Sequence, residues 1–225
     1  MILKLFHGSE RIIRQPVYGA GKSYNDYGRG FYCTESIELA KEWGVGKDRD
    51  GFANCYELDT AGLNILNLNG EEYTILHWLT VLLQNREFDI PSGLALEAKE
   101  YLNANFSIDY SSADAIIGYR ADDSYFSFAQ DFINGTISYR QLNNAMHLGK
   151  LGQQFVLKSP KAFELINFTG YEVARCEEWY QRKMDRDRTA RREYFDTEKN
   201  RRQRGDLYIT TILDEEMKPD DRRLR

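Results

Sequence analysis

Hydrophobic positions recur along this chain at two spacings, and together they predict an α+β fold. Alternation or short apolar runs predict strands over Ile2–His7, Gly30–Cys33, Phe52–Leu58, Asn64–Leu68 and Gln154–Lys158, with a buried strand over Asp114–Tyr119. Helical spacing marks Ile37, Ala40 and Trp43, and again Tyr73, Leu76, Leu79 and Leu83 within Glu72–Asn85. Further helices are expected over Ala95–Ala104, Phe126–Ile133 and Tyr139–Leu148, the last two parted by an Asn134-Gly135 turn. Ser159-Pro160 reads as an N-cap with proline at the first helical position, which predicts helix over Lys161–Ile166. Between these elements Glu10–Val17 is expected to be extended, and Gly44–Gly51 to be a charged turn. Lys22–Arg29 is polar and glycine-punctuated, long enough to cover a ligand. Strands interspersed with helices, without regular βαβ alternation, fit α+β rather than α/β.

From about Tyr171 the pattern changes. Glu172–Arg204 is highly charged with few breakers, and Gln181–Arg204 alone holds ten Lys or Arg against five Asp or Glu. That predicts a long solvated helix, or an arm that contacts a partner. Gly205 ends it, and Tyr208, Ile212 and Met217 are spaced to pack back on the body of the protein. The expected organisation is a domain over residues 1–170 and a charged helical extension over residues 171–225.

Bulk properties narrow the picture further. At 225 residues, with 42% hydrophobic and 13% aromatic content, the chain can bury one sizeable core. A net charge of −5 argues against general nucleic-acid binding but leaves room for a local basic patch. Cys33, Cys55 and Cys176 are odd in number and have no Cys-x-x-Cys spacing, so no disulfide framework or metal site is expected and a reducing cytoplasm fits. The apolar part of the N-terminus is too short for a signal peptide, and no apolar run reaches the roughly 18 residues of a membrane span.

The chemistry concentrates at Asn25–Trp43, N-D-Y-G-R-G-F-Y-C-T-E-S-I-E-L-A-K-E-W. Gly28 and Gly30 flank Arg29 and permit positive φ or a close approach to a ligand. Thr34 or Ser36 can cap the helix that follows. Tyr32 and Trp43, one strand and one helix apart, would flank a glycine-lined opening, either as a clamp for a flat ring or as two ordinary core aromatics.

The segment Gly30–Thr34 with its helix ending in Trp43, preceded by L-F-H-G-S at Leu5–Ser9, resembles the first two signatures of poly-ADP-ribose-polymerase-type ADP-ribosyltransferases. Nearly the whole chain, including R-A-D-D at Arg120–Asp123 and the tail ending P-D-D-R-R-L, is also similar to the bacterial domain-of-unknown-function family 3990, which is grouped with that superfamily. The resemblance implies a split β-sheet core with flanking helices and NAD as the substrate. His7 would then bond a ribose hydroxyl and Gly8 the nicotinamide carboxamide. Tyr32 and Trp43 would stack on the pyridinium, Gly30 would line the site, and Ser9 and Thr34 would act as secondary donors. His77 and His147 have no partner at ligand spacing and are given no chemistry.

The third signature departs from the superfamily. Its strand-borne glutamate is replaced by Gln154 in Q-Q-F-V-L-K, and a neutral amide cannot act as a base or counter-charge. Either Asp122 or Asp123 supplies the acid, or the transferase is weakened or only binds its ligand. R-A-D-D can equally be a helix-capping turn, with Asp123 or Ser124 as N-cap. The resulting expectation is an NAD-dependent ADP-ribosyltransferase, a toxin of toxin–antitoxin or defence type. It would act on a macromolecular acceptor, protein or nucleic acid, with a cognate antitoxin as partner. The rivals are a non-catalytic module that binds NAD, ADP-ribose or a protein, and an NAD glycohydrolase.

Overall fold

A computed structural model describes residues 1–148 and 152–225. Strand β1 (Ile2–Ser9) runs antiparallel to β3 (Gly51–Asp59), from Ile2↔Asp59 to Ser9↔Phe52. The other edge of β3 pairs antiparallel with β7 (Ile166–Ala174), with a register shift between Cys55 and Tyr56. A second sheet has the order β2 (Phe31–Cys33), β6 (Gln153–Leu157), β5 (Ala115–Tyr119), β4 (Ile65–Asn67), with only the β4–β5 pair parallel. The sheets meet at one bridge, where Phe6 and Thr34 exchange backbone hydrogen bonds of 2.8 and 2.9 Å. The core is thus α+β with two sheets, and the bridge sets the end of β1 beside β2.

Alternation on the strands buries Leu5, Phe31, Cys33, Tyr56, Leu58, Phe155 and Leu157 in one cluster. A larger cluster forms around α2 (Ile75–Asn85), which is buried at every position from Ile75 to Leu83. That all-round burial explains why its sequence is apolar beyond a single stripe. Helices α3 (Gly93–Asn105), α4 (Asp123–Ile133) and α5 (Tyr139–Ala145) add to this cluster, as does the later α8 (Ile209–Asp214), whose Ile212 is buried together with Met217 just beyond it. His77 has a structural task, since its Nδ1 accepts 2.9 Å from the Thr74 N–H and closes the N-terminus of α2. His147 bonds the Asn143 carbonyl at 2.8 Å and the Tyr119 hydroxyl at 3.2 Å.

Helix α1 (Ile37–Gly44) is capped by Ser36, whose Oγ accepts from the Leu39 N–H at 3.3 Å. It lies so close to β1 that a Cβ on Gly8 would sit 1.9 Å from the Ala40 carbonyl oxygen. Gly8→Ala must therefore push α1 off the sheet. We expect a loss of about 3 kcal/mol, a fall in melting temperature of roughly 6–12 °C for a chain of this size. An unchanged melting curve would contradict this packing.

The C-terminal region differs from the sequence expectation. Tyr171–Ala174 is strand, so a boundary at residue 170 falls inside β7. The helical part begins later, with α7 (Cys176–Glu193), continues into a π-helical turn over Tyr194–Lys199, and packs on the domain. Trp179 is buried with Val45 and Ala174, and Tyr194 stacks on Phe128 with centroids 4.0 Å apart. Among the described residues no helix is long and apolar enough to cross a membrane.

Candidate functional site

One cleft of about 1030 Å³ opens at the junction of the two sheets. That is at the upper end of small-molecule sites and roomy enough for a dinucleotide. His7, Tyr32, Trp43 and Gln154 all line it, as do Gly8, Ser9 and Gly30.

His7 stands near the end of β1, with its ring stacked on Phe31 at 4.4 Å and Nδ1 2.7 Å from the Tyr32 carbonyl oxygen. A carbonyl only accepts, so Nδ1 carries the hydrogen, and the neutral ring leaves Nε2 as an acceptor. Burial lowers the His7 pKa, and the bond to Tyr32 opposes this only in part. The native state therefore binds fewer protons than the unfolded chain just below the ordinary value of 6.5. Stability from this group is complete above that value and is lost as pH falls through the lowered one. His77 is depressed by the same cause, so the contribution of His7 is read from a difference. The stability gap between wild type and His7→Gln should narrow as pH falls from about 7.5 to 5 in denaturant titrations. A gap independent of pH would contradict the buried neutral imidazole.

Tyr32 is anchored by its hydroxyl, which donates to the Gly28 carbonyl at 2.6 Å and accepts from the Tyr27 N–H at 3.0 Å. Gly28 has φ +69°, which this turn requires. The segment expected to cover a ligand is in part built into the core instead. Tyr27 is fully buried and donates to the Tyr119 carbonyl at 2.6 Å, while Lys158 Nζ bonds the carbonyls of Tyr27 and Arg29. The close approach at Gly30 is to β6, since a Cβ there would lie 2.6 Å from Val156 Cγ1.

Trp43 lines the cleft with one face of its ring covered. The Arg120 guanidinium lies over its ring, 4.2 Å from the centroid. Thr34 is buried, accepts from the Ser36 N–H through Oγ1 at 3.2 Å, and is absent from the cleft wall. Ser9 Oγ donates to the Arg11 carbonyl at 2.6 Å and accepts from Asn54 Nδ2 at 3.0 Å, which commits the hydroxyl locally.

The carboxylate facing Gln154 is Asp26, which no sequence motif singles out. Gln154 Nε2 donates to Asp26 Oδ2 at 2.7 Å, and the Ala121 N–H donates to the same oxygen at 2.9 Å. Arg86 holds Oδ1 at 2.7 Å. Asp26 is 6% exposed and reaches the cleft wall. Its place in the loop before Gly28 hides it, because its partners lie far along the chain: Arg86 just past α2, Ala121 between β5 and α4, and Gln154 in β6. Asp122 also lines the cleft and serves as the N-cap of α4, where the capping alternative for R-A-D-D expects Asp123 or Ser124. The side chain of Asp123 lies outside the described residues.

Helix α7 closes one side of the cleft with Lys183, Met184, Arg186 and Asp187. It is held there by a bidentate pair from Arg186 to the buried Glu42, at 2.8 and 2.9 Å. Among the described residues one group, Asp50, Cys176 and Glu177, has metal-ligand spacing. Asp50 there accepts from the Cys176 N–H and pairs with Arg175, which accounts for it as the cap of α7.

Residues 3–168 match the family described as protein of unknown function DUF3990. The chain belongs to this family. No curated protein and no solved structure matches it. The DUF3990 span contains His7, Asp26, Tyr32, Trp43, Arg120 and Gln154, and it ends within β7. The α7 wall of the cleft lies beyond that span.

Proposed function

We propose that this protein is an NAD-dependent ADP-ribosyltransferase, and that Asp26, presented by Gln154, supplies the negative charge that Gln154 itself lacks. The observation that carries the reading is the convergence on one cleft of an imidazole with an acceptor nitrogen, an anchored tyrosine ring and a buried carboxylate hydrogen-bonded to the strand amide. In the reaction the bond from the ribose C1 to the nicotinamide nitrogen breaks, and nicotinamide leaves with the electron pair. An acceptor oxygen or nitrogen bonds to C1, and its proton passes to solvent. The sugar is cation-like in the transition state, so a fixed carboxylate in a partly desolvated cleft stabilises it more than the ground state. His7 Nε2 would accept from a ribose hydroxyl, and Tyr32 would stack on the pyridinium.

The role as a toxin with a macromolecular acceptor and an antitoxin partner is part of the proposal and rests on resemblance alone. The test is incubation of the full chain with NAD labelled in its adenylate half, in a cell lysate and in buffer. Label transferred to a macromolecule with nicotinamide released supports the transferase. Free ADP-ribose in buffer alone would make the protein an NAD glycohydrolase. Binding of NAD with no nicotinamide released in either condition would leave a binding module and remove the enzymatic reading.

A further inference from the structure

Arg120 follows β5 directly and lines the cleft, half-buried. Among the described residues its guanidinium makes no hydrogen bond or ion pair, and its one contact of note is the face of Trp43. Such a group carries five N–H donors in a planar fork. The cations around it are differently placed, for Arg86 is paired with Asp26 and Arg186 with Glu42. The indole Nε1–H of Trp43 is itself buried without a hydrogen-bond partner. The Trp43 indole is thus a buried donor that the described protein atoms leave unused, beside a half-buried guanidinium that makes no hydrogen bond to them.

Acidic neighbours do not use up this donor capacity. Asp122, Asp26 and Glu42 are within electrostatic reach of Arg120. Asp26 is held by Gln154, Ala121 and Arg86, Glu42 by Arg186, and Asp122 caps α4. Burial lowers the Arg120 pKa and these carboxylates oppose that in part, without forming a pair with the guanidinium. Lys22 and Lys183 add further positive charge to the cleft wall of a chain whose net charge is −5.

We infer that Arg120, laid flat on Trp43, is the receptor for the phosphate groups of the ligand, and that Trp43 serves as its platform instead of stacking on nicotinamide. A planar fork matches two phosphate oxygens, and stacking holds it at little further entropic cost. The inference deepens the NAD reading and rests on it for the identity of the ligand, though not for the ligand's charge. It predicts that the site selects phosphate-bearing nucleotides over the bare nucleoside.

The experiment is calorimetric titration of the full chain with NAD, ADP-ribose, inorganic pyrophosphate and nicotinamide riboside, for wild type, Arg120→Gln and Arg120→Lys. Arg120→Gln should weaken the three phosphate-bearing ligands by about 10- to 100-fold and leave nicotinamide riboside unchanged. Arg120→Lys, which keeps the charge and loses the fork, should fall between them. This also covers the case in which Arg120→Gln melts too early to titrate. Equal affinities across the three proteins would overturn the inference while leaving the NAD reading intact. Pyrophosphate binding that depends on Arg120, without any NAD binding, would uphold it and remove the NAD reading. Failure of wild type to bind either pyrophosphate or ADP-ribose would overturn it outright.

Discussion

Asp26→Asn should slow nicotinamide release by about 100- to 1,000-fold, the scale of removing one fixed electrostatic contact to a transition state. The substitution keeps the size of the side chain but removes the charge beside the cleft. It also leaves Arg86 without its counter-charge. Arg86 is 27% exposed, so the stability loss should be about 1–3 kcal/mol, below the range for a fully buried pair. The companion variant separates charge from position. Gln154→Glu introduces the glutamate that the resemblance to ADP-ribosyltransferases would place there, yet it puts a second carboxylate where the amide now donates to Asp26 at 2.7 Å. Two carboxylates so close resist joint ionisation. This variant should therefore be destabilised at neutral pH and recover as pH falls. The double variant Asp26→Asn, Gln154→Glu moves the charge across the hydrogen bond and should regain much of the lost rate. If Gln154→Glu alone is more active and as stable as wild type, Asp26 is not the partner carboxylate.

Tyr32→Ala should weaken NAD binding by about 10- to 100-fold, as expected for loss of one aromatic stack. The hydroxyl and the ring do different work here, and Tyr32→Phe divides them. Without the hydroxyl, the Tyr27 N–H and the Gly28 carbonyl lose their partner, which should cost about 1–2 kcal/mol of stability. The ring remains, so NAD affinity should change less than threefold. If Phe and Ala variants lose affinity alike, the contribution of Tyr32 is to shape the loop and not to stack on the ligand. Fluorescence and calorimetric titrations read the affinities, and thermal melts read the stabilities.

Much of the core was legible because alternation and helical spacing are local. The pairs β1–β3 and β5–β6, and the helices α2 and α3, lie where Leu5, Tyr56, Ile116, Val156, Trp78 and Leu102 put apolar groups inward. Strand β7 was not legible. It is a sheet edge with Tyr171 and Val173 exposed and Glu172 between them, so its polarity reads as the start of the charged helix. In the cleft, His7, Tyr32 and Trp43 could be named because each belongs to a short recognisable segment. Asp26 could not, because what singles it out is contact with Arg86, Ala121 and Gln154 from distant parts of the chain. The covering of Trp43 by Arg120, and the α7 wall tied through Glu42, are tertiary events of the same kind. Charge along α7 announced a surface helix but not the cleft that it borders.

The central claim is that the cleft between the two sheets binds NAD and that a carboxylate held by Gln154 promotes the loss of nicotinamide from it. Its most direct measurement is nicotinamide release from NAD by the full chain with lysate present, for wild type, Asp26→Asn and the double variant Asp26→Asn, Gln154→Glu. The account predicts release by wild type, a fall of at least about 100-fold in Asp26→Asn, and recovery in the double variant. No release by wild type, or equal release by wild type and Asp26→Asn, would contradict it.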